Sequence, residues 1–174
     1  MPAESAGHPP SAADNPLLIA RMVDFLIQIG LPVRMGEVED ATFLPGLAIE
    51  HGVLIVDEAK LTYPGDLLHE AGHLAVAPAA NRAFLHQNVG ADPAEEMMAI
   101  SWSYAVARHL EIDPAVVFHP QGYKGGSQSL LGMYEQETYL ALPMLQWCDM
   151  AYDKTHAEAE GAEPFPTMRR WLRA

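Results

Sequence analysis

Apolar residues recur with a helical period through "DNPLLIARMVDFLIQIG", where Leu18, Met22, Phe25, Ile29 and their neighbours form one stripe. Asp14 or Asn15 can cap this helix, Pro16 suits its first turn and Gly30 its C-cap. The pattern then changes. Two β-prone runs, 43–49 and 53–56, flank His51-Gly52, which predicts a hairpin, and "LPVRMGEV" predicts a third short strand. Pro64-Gly65-Asp66 interrupts the pattern. From there the spacing predicts a helix capped by Asp66 and running to about Val76, with Pro78 as its stop. Residues 78–90 read as a loop. Asp92-Pro93 opens a helix to about Leu110, and Asp113-Pro114 opens another short one. A Gly-rich loop at 119–129 precedes a helical stretch, "LLGMYEQETYLALPMLQWCDMAY", in which Pro143 marks a kink or a break. "THAEAEGAEPFP" reads as a polar link to a last short helix, "TMRRWLRA". There is no internal repeat. The result is a small sheet near the front followed mainly by helices, an α+β arrangement. Residues 15–174 form one domain behind a disordered lead-in, 1–14, rich in Pro, Ala and Ser.

Composition narrows the chemistry. With 174 residues, 49% hydrophobic and 19% charged, the chain can bury a core without staples. The single cysteine, Cys148, rules out an internal disulfide and a Cys-rich zinc knuckle, so any metal must be held by His and carboxylates. A formal net charge of −13 repels phosphate backbones, which argues against nucleic acid as a partner. The one basic cluster, Arg169, Arg170 and Arg173, reads as a solvated helix face. No apolar run reaches bilayer length, and the N-terminal stretch lacks the features of a secretory signal, so the expected compartment is the cytoplasm, away from membranes.

Against that background "DLLHEAGHLAV" (66–76) stands out. On a helix, positions i and i+4 share one face, so His69 and His73 present two imidazoles to one point. Two ligands of a tetrahedral zinc ion need that placement. Glu70, on the flank, can reach a water on the metal and take its proton. Zinc lowers the pKa of its water to roughly 7, which lets a carboxylate finish the activation at neutral pH. Eight histidines make a chance His-x-x-x-His unremarkable; the added Glu on a helix bounded at both ends is far more restrictive. Gly72 costs this helix about 1 kcal/mol relative to Ala, which calls for a close approach by another segment or a substrate.

A third protein ligand must come from elsewhere, because Val76 and Ala79 stand where the extended H-E-x-x-H-x-x-G-x-x-H pattern would continue. A second helix offers Glu95 and Glu96, and the loop before it is long enough for the chain to turn back. With these two elements, "LLHEAGHLAV" and "EEMMAISWSYA", residues 43–108 resemble the gluzincin metallopeptidases, and particularly the small bacterial ImmA/IrrE-like group. The resemblance implies a zincin-like fold with a hairpin before the HExxH helix, one Zn²⁺ ion, and a peptide or protein substrate. It also implies a third ligand that begins an E-x-x-A-x-x-aromatic pattern, which here falls on Glu96 to Trp102. Helical phase favours the same residue. Glu96, Ala99, Ser103 and Ala107 form a stripe that is small after its first member and lets two helices approach, whereas the stripe from Glu95 carries Met98 and Trp102.

Zincins also need a group to stabilise an oxyanion. His119, Tyr123 and Tyr134 flank the Gly-rich loop and are candidates, each set against an ordinary packing role; His109 reads as structural or exposed. His8, His51 and His156 read as solvated, Gly125-Gly126 lacks a phosphate-loop pattern, and Met97, Met98 and Trp102 read as core. The leading expectation is a zinc-dependent metallopeptidase or related hydrolase with His69, His73 and Glu96 as metal ligands and Glu70 as general base. The alternatives are a non-catalytic zinc-binding regulatory or interaction module and a metal-independent helical interaction protein.

Overall fold

The computed structural model describes residues 16–39, 42–87, 89 and 92–174. The lead-in and the capping pair Asp14 and Asn15 lie outside them. Helix α1 (Pro16–Gln28) turns Leu18, Ile19, Met22, Val23, Phe25 and Leu26 inward. It closes as the stripe predicts: Gly30 has φ +93°, and the Leu31 amide donates to the Leu26 carbonyl at 3.0 Å. A left-handed residue just past a helix with that bond satisfies carbonyls left open by the last turn.

Three short strands follow, β1 (Val33–Met35), β2 (Leu47–Glu50) and β3 (Val53–Val56). The order is β1-β3-β2, with β3 parallel to β1 and antiparallel to β2. Its central place explains why "VLIV" is an unbroken apolar run with three of four residues buried. His51 and Gly52 take φ of +50° and +79°, the double left-handed turn that fits the twist of a two-residue hairpin. The predicted first hairpin strand began at residue 43, but pairing starts only at Leu47.

Helix α2 (Pro64–Val76) is the axis of the molecule, buried over nearly its whole length. Its N-cap position is Tyr63, without a side-chain cap. The expected capping role of Asp66 is therefore corrected: Asp66 sits inside the first turn, and its carboxylate accepts from His119. Residues 78–90, expected as a loop, contain a short helix, α3 (Ala79–Arg82), whose Arg82 guanidinium donates to the Leu74 and Ala77 carbonyls. Helix α4 (Pro93–His109) starts where Asp92 accepts from the Ala94 amide and crosses α2 closely. A Cβ built on Gly72 would lie 2.9 Å from the Ala99 carbonyl oxygen, so glycine is what lets the backbones meet. Helix α5 (Pro114–Val117) comes as close to the start of α2, where a Cβ on Gly65 would lie 2.0 Å from the Val116 carbonyl oxygen.

A 3-10 turn (Tyr123–Gly125) lies within the segment read as a Gly-rich loop, and helix α6 (Ser127–Glu135) starts three residues before the expected helical stretch. Helix α7 (Leu142–Trp147) begins at Pro143's first turn, so Pro143 separates two helices and does not kink one. The expected polar link holds α8 (Lys154–Glu160), and "TMRRWLRA" is not helical. That tail instead runs as an extended strap: Met168 bridges Ala151, the Arg173 amide donates to Ala75, and Trp171 accepts from the Trp102 indole. Carbonyls at the end of α2 draw the tail out of a helix, because Arg82 and Arg173 together satisfy the groups that helix leaves open. The observed architecture is α+β, with eight α-helices and one three-stranded sheet among the described residues. None of these helices is long and apolar enough to cross a membrane.

Candidate metal centre

The close crossing at Gly72 and Ala99 sets one turn of α2 against the first turns of α4. His69 and His73 face Glu96 across it. The His69 and His73 Nε2 atoms are 3.3 Å apart; Glu96 Oε1 lies 3.4 Å from the first and Oε2 3.2 Å from the second. Among the described residues, this is the one grouping of three or more His, Cys or carboxylate side chains whose ligand atoms converge closely enough for a metal. Zinc bonded to nitrogen and oxygen at about 2.0–2.1 Å in tetrahedral geometry holds neighbouring donors about 3.3–3.4 Å apart. The two imidazole nitrogens have that spacing, and each Glu96 oxygen has it to one of them, so the three side chains converge closely enough to hold one ion. Hydrogen bonds from His69 and then His73 hold the Glu96 carboxyl well below the ordinary carboxylate range. It is thus an anion between two imidazoles. Glu95, the other candidate, turns away, its carboxylate 3.9 Å from Arg173.

Glu70 keeps part of its surface open, yet enough protein surrounds it that desolvation pushes its carboxyl up to about 7. His73 works against that shift, while Asp66 and Glu96 add to it.

The other expected site residues separate clearly. Tyr123 lies behind His69, its hydroxyl 3.5 Å from His69 Nδ1 and its ring edge-on to the imidazole. Desolvation raises its phenol far above the ordinary value, so it stays protonated. Tyr134 is buried away from the cluster and bonds Ser101; burial raises its hydroxyl to about 12. His109 packs against Phe25 and Trp171, His51 stacks on His86, and His156 pairs with Asp153 at the surface. His8 lies outside the described residues. Arg169 and Arg170 are exposed, as expected of a solvated basic cluster, and share Asp149 at the surface; they do not lie on a helix, and Arg173 is tied to α2.

One grouping escaped the sequence reading. His119 is buried against Tyr63, with ring centroids 4.0 Å apart, and its Nε2 donates to Asp66 Oδ1 at 2.8 Å. Asp66 stands one turn before His69 on the same face of α2, and that i−3 spacing was the available signal. His119, expected as an oxyanion candidate beside the Gly-rich loop, instead bonds Asp66, and nothing local marked that partner 53 residues away along the chain.

No family model matches the chain, and neither the curated proteins nor the solved structures contain a significant match to it. The functional argument therefore rests on the geometry of the site.

Proposed function

We propose that this chain is a zinc-dependent peptidase or related amide hydrolase of zincin-like type. In this reading His69, His73 and Glu96 hold one zinc ion and Glu70 is the general base. The observation that supports it most is the convergence of two imidazoles and a carboxylate from two helices, beside a second carboxylate that none of those contacts uses. A purely structural zinc closes its coordination with four protein ligands; three leave a position for chemistry.

When bound, zinc supplies Lewis acidity and an acidified water. Glu70 takes a proton at its carboxylate and can return it to a departing amine. Glu96 brings a negative charge that partly offsets the cation. His73, almost fully buried, and His69, fixed between Glu96 and Tyr123, hold their rings in place. Tyr123, which stays protonated, sets its hydroxyl against His69 Nδ1 and helps hold that ring.

The deciding experiment measures metal content and peptide turnover on one preparation, with a proteome-derived peptide mixture as substrate. Near-stoichiometric zinc with turnover that disappears in Glu70→Gln supports the reading. Zinc without turnover in the wild type supports a binding module instead, and a metal-free, inactive protein refutes both.

A further inference from the structure

We propose that His119 is a positioning residue. Through its bond to Asp66 it clasps the 119–126 segment onto α2, and so seats the Tyr123 hydroxyl behind His69. Only the consequence for metal affinity rests on the zinc reading above; the clasp itself does not.

Three observations lead here. The first is the state of His119. Its side chain is 4% exposed, one ring nitrogen bonds Asp66, and the other, Nδ1, is buried without a partner. An apolar side chain would fill that space without leaving a buried polar atom, so packing alone does not account for a histidine. The bond to Asp66 does.

The second is backbone strain directly after it. Tyr123, Lys124 and Gly125 take φ of +51°, +52° and +83° in succession. Left-handed backbone is unfavourable for tyrosine and lysine, and persists only where the surroundings enforce it. The enforcing contacts centre on His119. The Ser127 hydroxyl donates to the His119 carbonyl at 2.6 Å and the Gly122 amide donates to it at 2.9 Å. Gly122 lies against the imidazole, where an added Cβ would be 3.2 Å from Nε2. The Gly126 amide closes the turn on the Tyr123 carbonyl at 2.9 Å.

The third is where the turn delivers its side chain. Tyr123 reaches His69 Nδ1, the ring nitrogen on the side away from Glu96 and His73. The partner of that nitrogen sets the orientation and tautomer of a metal-binding histidine. A hydroxyl can donate or accept. Tyr123 can therefore donate to a bare Nδ1 while Nε2–H points at Glu96. It can also accept from Nδ1–H when the Nε2 lone pair faces a cation. A carboxylate there would serve only the second state.

Two measurements on the full chain test this. Amide exchange on metal-free protein reads the clasp. In His119→Ala the Gly122 and Gly126 amides should exchange at least about 10-fold faster, while the amides of 105–107 in α4 stay unchanged, which separates release from unfolding. Ser127→Ala, the gentler variant, should move the same two amides less. Zinc affinity, by competition with a chromophoric chelator, reads the consequence. Tyr123→Phe and His119→Ala should each weaken zinc about 10- to 100-fold, the usual cost of losing such a partner. The double variant should be no weaker than the worse single, because both act through one contact. His119→Gln, whose amide can still donate to Asp66, should recover most of the loss. Unchanged exchange at Gly122 and Gly126 in His119→Ala overturns the clasp, whatever Ser127→Ala does, and additive losses in the double variant overturn the link to Tyr123. A wild-type chain that takes up no zinc refutes the metal-centre reading, and the exchange data still decide the clasp.

Discussion

Two carboxylate–histidine groupings stand a turn apart along one face of α2, and they differ in what surrounds them. Asp66 and His119 are sealed: their side chains are 11% and 4% exposed, a tyrosine ring covers the imidazole, and one carboxylate meets one donor. Glu96 with His69 and His73 is open at one edge, the glutamate 37% exposed, and one carboxylate meets two histidines whose facing nitrogens crowd to 3.3 Å. The sealed pair makes one bond, leaves His119 Nδ1 without a partner, and fastens a loop. The open trio brings two imidazole nitrogens and a carboxylate together with the glutamate partly exposed. A third pair, His156 with Asp153, is exposed on both sides and serves as a helix cap. The same residue types thus tie, converge or cap according to how much protein closes around them and how many donors share the carboxylate.

The sharpest way to break this contrast is to remove a member of the trio. His69→Ala, His73→Ala or Glu96→Ala should each abolish tight zinc, leaving two protein ligands where the site needs three. Elemental analysis checks the metal, and circular dichroism checks that α2 survives. Unchanged stoichiometry in any of them would remove that residue from the site.

Glu70→Gln comes next. It keeps shape and hydrogen bonding but removes the base, so zinc should be retained while hydrolysis falls by about two orders of magnitude or more. Steady-state peptide turnover is the measurement; activity left intact would assign proton transfer to another group.

Gly72→Ala probes what brings the trio together. The new methyl would press on the Ala99 backbone, which cannot swing aside as a flexible side chain can. Overpacking of this kind costs about 1–3 kcal/mol, against about 1 kcal/mol regained in helix propensity. A lower urea midpoint together with weaker zinc binding is expected, and a variant that binds zinc as tightly as the wild type would separate the crossing from the site.

The smallest effect belongs to the exposed pair. Asp153 accepts from the His156 amide and imidazole, and those bonds hold its carboxyl below the ordinary 3.8. A carboxyl depressed in the folded state stabilises fully above its unfolded pKa, and that contribution is lost as pH falls through the folded value. Asp153→Ala should therefore lower the melting temperature slightly at pH 6, with the gap to wild type closing as pH drops below about 4. A gap independent of pH would mean that the cap does not act through its charge.

Much of the site was legible because its parts are local. The spacing of His69 and His73 is fixed by one helix, and Glu96 was separable from Glu95 because 96, 99, 103 and 107 form a stripe of small residues that another helix can approach. In the structure Ala99 meets Gly72, and Glu96 faces the histidines while Glu95 turns to Arg173. Tyr123 was one of several loop aromatics with nothing local to single it out. Its place behind His69 depends on His119, whose bond to Asp66 spans 53 residues. The tail was misread as a helix for a related reason. "TMRRWLRA" has helical propensity, but open carbonyls at the end of α2 hold it extended, and no window on the tail contains them.

By itself, then, the sequence determined what short-range periodicity can encode: the α1 stripe, the His51-Gly52 turn, the starts at Asp92-Pro93 and Asp113-Pro114, and two imidazoles on one helical face. Only the tertiary structure decided which carboxylates meet which histidines. Asp66 had every mark of a cap and became the anchor of a distant loop. A side chain's partner is whatever group lies within about 3 Å of it after packing, and that distance is set by helix crossings, here at Gly72 and Gly65, that join positions far apart along the chain.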